Sequence, residues 1–188
     1  MASIRFLTLF LAALAAAAPV LAQQKLVPAQ SEIVFVSKQM GVPVEGRFKK
    51  FDAQIAFDPA RLQTSKIAFT VDTGSATLGV PEADSELPKP VWFNVPGFPQ
   101  ATFQSGAIKA LGGGRFEVAG KLTIKGRSQD VMVPVALTQA GAVTTASGSF
   151  VIKRLVFAIG ENQWSDTSMV ADDVQVKFKL TLSGVGKV

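Results

Sequence analysis

The chain has 188 residues, with 19 Lys and Arg against 14 Asp and Glu for a formal net charge of +5, and it contains no Cys, His or Tyr. These absences remove disulfides, thiolate nucleophiles, imidazole bases, Cys/His zinc sites and haem ligation by His. The positive charge is scattered, and its densest cluster, Arg47, Lys49 and Lys50, is too small for a nucleic-acid footprint.

MASIRFLTLFLAALAAAAPVLA opens with the basic Arg5, runs apolar from Phe6 to Ala18 and ends Val20-Leu21-Ala22. A basic start, a short apolar block and a small residue at its end form the pattern of a cleaved secretory signal peptide, predicted here over residues 1–22. No basic stop-transfer cluster follows, and Pro19 closes the apolar run, so a membrane anchor is the poorer reading. Residues 23–188 have the length of one domain with one core.

The rest of the chain is written almost wholly in strand periodicity. Ser31 to Met40 is rich in β-branched and aromatic residues and stops at Gly41 and Pro43. Val44 to Phe48 begins a second strand that resumes at Ala53, Ile55 and Phe57. The change of parity between Lys49 and Asp52 predicts a bulge inside it. Asp58-Pro59 predicts a helix start, with Asp58 as cap. Ile67, Phe69 and Val71 form the next alternation.

From Gly74 to Pro99 the alternation fails. Pro81 to Leu87 predicts a short helix, and Pro88, Pro90, Pro96 and Pro99 forbid regular structure after it. A long irregular segment in a compact domain reads as a lid or binding loop, and this one carries Trp92 and Phe93. Its acids Glu82, Asp84 and Glu86 read as solvated loop charges, as do Asp172 and Asp173.

Strands return over Ala101 to Lys109, then over Phe116 to Ile124 after a turn at Gly112-Gly113-Gly114. Lys125 to Ser128 predicts a hairpin turn into Val131 to Leu137, where Pro134 points to an edge or bulge position. Ala146 to Ile152 and Val174 to Leu182 complete about eight antiparallel strands. The predicted fold class is all-β, an eight-stranded antiparallel barrel with short helical segments, with a two-sheet sandwich as the alternative.

Phe150, Ile152 and Arg154 share one strand face, which sets a permanent charge in line with an apolar row. A buried guanidinium needs partners. Two remain open: a carboxylate, with Asp166 and Asp172 as candidates, or the polar head of a ligand.

Certain segments, in this order and spacing, resemble the YceI-like polyisoprenoid-binding proteins of the bacterial periplasm. They are Ser31-Glu32-Ile33-Val34-Phe35 with Gly46-Arg47-Phe48; Ile55 to Pro59; Phe93-Asn94-Val95 with Phe98 to Ser105; Gly120 to Gly126; and Arg154 ahead of Phe157, with Val174 to Leu180 at the end. Gln30 stands where many members carry His. The resemblance implies a periplasmic, lipocalin-like barrel over residues 23–188 that binds an isoprenoid lipid, quinone or polyprenyl in type, in an apolar tunnel as carrier or buffer. It implies no catalytic residues, no cofactor and no metal. The expected ligand-binding residues are Phe35, Phe48, Phe57, Phe69, Trp92, Phe93, Phe103, Phe150, Ile152, Arg154, Trp164 and Phe178. Gln163 to Thr167 with Val174 is similar to a subgroup found near membrane b-type cytochromes, which implies transient contact with a membrane or such a cytochrome. The alternative from a different class is a stress-related surface-interaction protein whose barrel core is filled.

Overall fold

A computed structural model describes residues 24–187; the predicted signal peptide lies outside them. Eleven strands, β1 Lys25–Leu26, β2 Glu32–Gln39, β3 Val42–Phe48, β4 Phe51–Ala56, β5 Lys66–Asp72, β6 Ala76–Thr77, β7 Gln100–Gly112, β8 Arg115–Ile124, β9 Arg127–Ala140, β10 Val143–Lys153 and β11 Asp173–Ser183, form one curled antiparallel sheet. The order along it is β4-β5-β7-β8-β9-β10-β11-β2-β3-β6, with β1 also paired to β11. The fold is therefore all-β and barrel-like, as the alternation predicts. Among the described residues no helix is long and apolar enough to cross a membrane.

The strand count exceeds eight for local reasons. The bulge predicted between Lys49 and Asp52 is a crossing instead: β3 pairs with β2 and β6, whereas β4 pairs only with β5. Two residues suffice for the chain to change partners, and in sequence that looks like a parity shift within one strand. β1 and β6 are two-residue bridges too short to carry a periodic signal. The ends of the hydrogen-bonding path are joined by other groups. Lys49 N–H donates to Ser75 O at 3.2 Å and Lys50 N–H to Ser75 Oγ at 3.0 Å. The Gln24 amide accepts from Phe57 N–H at 2.8 Å and donates to Phe57 O at 2.6 Å, so one side chain stands in for a missing strand.

Asp58 does not start an α-helix. Its Oδ1 accepts from Ala60 N–H at 2.9 Å in a local turn, and a 3-10 turn over Leu62–Thr64 follows. Such short side-chain bonds compete with helix formation wherever the sequence does not sustain one. The helix predicted from Pro81 is present as α1, Pro81–Asp84. At the β8–β9 hairpin, Ile124 faces Arg127 across Lys125 and Gly126, whose φ values of 49° and 73° are both positive. This two-residue turn twists in the same sense as its strands.

Pro134 marks an edge. The β9–β10 ladder ends at the pair Val135 and Gly148, because the next residue of β9 has no N–H to donate. Beyond it Ser149 to Lys153 of β10 pairs with β11 alone, and the 3-10 turn Arg154–Phe157 packs against β9.

Candidate functional site

Inward-facing residues of the curled sheet do not meet in the middle. They enclose a cavity of about 690 Å³, within the range of small-molecule sites. Its wall is built from alternate positions of each strand, for example Val174, Val176, Phe178, Leu180 and Leu182 of β11. Phe35, Phe48, Phe69, Phe103, Phe150 and Phe178 are only half-buried although they point inward, since their free faces look into this space. The interior is thus open, and the filled core of the alternative reading is not what the fold contains.

All twelve residues expected at the site line the cavity. Apolar side chains pack in two clusters along its length. Leu87, Phe93, Ile152 and Ile159 belong to one, and Ile33, Phe57, Phe116 and Leu182 to the other. Edge-on aromatic contacts stiffen both, Phe48 with Phe93 at 5.8 Å and Phe57 with Phe116 at 5.3 Å. Phe116 and many aliphatic lining residues, among them Val71, Val135 and Leu137, were absent from the expected set although they carry the same alternation.

One end opens. Of all lining residues only Gln39 and Glu82 are exposed, and they stand with Ser37 and Glu86 in a polar mouth beside α1 and the β2–β3 hairpin. The irregular segment predicted from Gly74 to Pro99 packs against the cavity: Trp92 lies against Trp164 at 5.7 Å, and Phe93 is buried in the core cluster. Glu82 and Glu86 are therefore mouth residues, not merely solvated loop charges.

Asp84 also departs from that reading. Its carboxylate accepts from Thr77 Oγ1 and from Leu78 N–H, both at 2.5 Å, latching α1 to the strand before it. The Thr77 hydroxyl first, then the Leu78 amide, hold the Asp84 carboxyl below its usual value of 3.8, with burial opposing and Lys49 assisting. A depressed folded-state pKa adds stability above the unfolded value that is lost as pH falls through the folded one. The protection factor of the Leu78 amide, its exchange rate relative to an unstructured peptide at the same pH, is accordingly expected to be constant from neutrality down to about pH 4 and to fall below it. Asp84→Asn should remove that pH dependence.

Arg154 is 2% exposed and does not form the expected ion pair. Among the described residues no carboxylate lies within ion-pair distance: Asp166 is engaged with Ser168, and Asp172 accepts from Leu155 N–H at 3.0 Å. The guanidinium instead spends its five N–H on backbone carbonyls. Nε donates to Ala171 O at 3.0 Å, Nη1 to Ile159 O at 2.8 Å and Gly160 O at 2.7 Å, and Nη2 to Trp164 O and Val170 O at 2.6 Å each. Burial lowers its pKa and Asp172 raises it in part, but arginine stays charged. It keeps its place in the cavity wall with no N–H left for a ligand head group. Among the described residues no buried side-chain N or O lacks a partner.

A family model described as the YceI-like domain matches residues 24–182. Among curated relatives, the chain is 30% identical to a UPF0312 protein of Vibrio cholerae over 114 residues and 33% identical to protein YceI of Salmonella arizonae over 96 residues. These alignments span 60% of this chain and 60% of the Vibrio protein, and 51% of this chain and 50% of the Salmonella protein. Among solved structures it is similar to BcnA of Burkholderia cenocepacia, 46% identical at a TM-score of 0.80, covering 83% of this chain and 98% of that one. A polyisoprenoid binding domain from Saccharophagus degradans shares the fold at a TM-score of 0.68 and 16% identity, covering 86% and 98% of the two chains.

Proposed function

The chain belongs to the YceI-like family, and we propose that it binds an isoprenoid lipid in its cavity, as a periplasmic carrier or buffer. The observation that carries this is the apolar space of about 690 Å³, continuous between two clusters and open at one polar end. A flexible apolar tail needs such a slot, and its head group needs a mouth that tolerates polarity. The reading is of a binding protein and not of an enzyme.

The mouth favours a quinone-type head over a phosphate. The cavity's ionisable lining groups are Glu82, Glu86 and Arg154, and the arginine's donors are already taken by carbonyls. An anionic head would meet Glu82 and Glu86, the latter already paired with Lys89, and no uncommitted cation among the described lining residues, whereas a neutral one can use Gln39 and Ser37. Protein purified from the periplasm and examined by native mass spectrometry with lipid extraction tests the proposal. Co-purification of a prenyl quinone supports it; an empty protein that takes up neither quinone nor polyprenyl phosphate ends it.

Delivery from a membrane also has a surface to use. Met40 is 71% exposed, Val42 64% and Met169 45%, and Met40 N–H donates to Met169 O at 2.8 Å, so the apolar rim sits beside the mouth residue Gln39. Met40→Asp with Val42→Asp is expected to slow quinone transfer from vesicles about tenfold and to shift stability by less than about 0.5 kcal/mol. Transfer followed by fluorescence quenching, with a melting curve, reads both.

A further inference from the structure

Three inward positions of the wall have no side chain: Gly46 on β3, Gly120 on β8 and Gly148 on β10. Each falls in the row that lines the cavity, between Val44 and Phe48, Val118 and Leu122, and Ala146 and Phe150. At each, the tip of a phenylalanine from the adjoining strand fills the space a side chain would take. A Cβ on Gly46 would lie 2.2 Å from Phe35 Cζ, one on Gly120 2.4 Å from Phe103 Cζ, and one on Gly148 2.5 Å from Phe178 Cζ. Phe35 and Gly46 are partners in register, as are Phe178 and Gly148, while Phe103 reaches Gly120 diagonally from Leu122 and Ser105. Contacts this close are impossible for real side chains, so each ring depends on its glycine.

We infer that these glycines set the bore of the cavity, by stowing three aromatic rings along the wall and so selecting long, slender chains. The inference rests on the lipid reading above and names what in the wall decides which tails enter. Rings of this size standing upright would narrow the lumen from three strands at once. Laid over glycine, they present apolar surface to the ligand without occupying its path.

Gly46 gives the clean test. The three nearest atoms to a methyl there all belong to the Phe35 ring, whereas at Gly120 and Gly148 backbone oxygens of Gln104 and Pro134 also stand in the way, at 2.6 and 2.2 Å. In Gly46→Ala the nearest obstacle is a ring and not backbone, and the lumen is where that ring has room. The probes are benzoquinones of one head group with prenyl tails of increasing length. Gly46→Ala is expected to weaken the long-tailed members about tenfold and to leave the shortest nearly unchanged. Adding Phe35→Leu, which removes the ring that lies over residue 46, is expected to restore them. Unchanged binding across the tail series in Gly46→Ala overturns the inference. If the wild type binds no member of the series, the lipid reading fails by itself. A crystal structure of Gly46→Ala then still decides the point: a Phe35 ring moved into the lumen supports it, and one retained on the wall overturns it.

Discussion

Arg154→Met is expected to cost the protein about 3–5 kcal/mol, the range for removing one partner from a buried charged network. The lost cation itself is a small part of this. Methionine has a similar reach but no donor, so the carbonyls of Ile159, Gly160, Trp164, Val170 and Ala171 lose their partner together, and each buried orphan costs about 1–3 kcal/mol before relaxation. Relaxation has one easy direction, outward to water, which unpicks the segment that carries Trp164 to the mouth. Arg154→Lys should recover only part of the loss, because three N–H on a point charge cannot reach five carbonyls set around a planar fork. Gly160 reinforces the point. Its φ is +71°, and a Cβ there would lie 2.4 Å from Arg154 Nη1, so the loop is shaped around the guanidinium. Urea unfolding measures the stability change, and the loss of the Trp92–Trp164 contact is read from tryptophan fluorescence. A stability change below about 1 kcal/mol in Arg154→Met, within the range of one ordinary hydrogen bond, would show that the carbonyl cradle does not hold the loop.

That network also shows what the sequence could and could not reveal. The strands were legible because an inward row of β-branched and aromatic residues repeats every second position, and the same rule placed every expected ring on the cavity wall. Arg154 was legible as an anomaly, yet its partners were not. Carboxylates have letters and backbone carbonyls do not, so a reading of residues could name Asp166, Asp172 or a ligand head group but not the carbonyls that hold it. The crossing at Lys49-Lys50 was hidden in a similar way, since a change of strand partner and a bulge leave the same trace in a parity pattern. An open interior was hidden most completely of all. Rows of Phe and Val alternate identically whether opposite walls touch or stand apart, and only the curl of the sheet decides between them. The pairing of Gly46, Gly120 and Gly148 with rings on neighbouring strands belongs with these, because the glycines were visible and their register was not.

Val176→Trp is expected to separate what the cavity does from what the fold needs. Val176 is the fourth residue of β11, paired to Phe150 on one side and Phe35 on the other, and all three line the cavity. Its half-burial reflects a free face toward the lumen, so a larger side chain has space ahead of it instead of a packed neighbour. An indole there trades water or void for apolar contact, at about 25 cal/mol per Å², and cavity filling of this kind commonly adds about 0.5–2 kcal/mol of stability. The same indole stands across the path of a tail, and a chain that must bend or displace it loses affinity about tenfold for each 1.4 kcal/mol of that strain. Core overpacking of about 1–3 kcal/mol therefore predicts a loss of roughly ten- to a hundredfold in quinone affinity, with the melting temperature unchanged or raised. Opposite signs in the two readouts are the signature of a lumen kept open for a ligand at some expense to stability. Lower stability with unaltered lipid uptake would place the ligand elsewhere on the molecule.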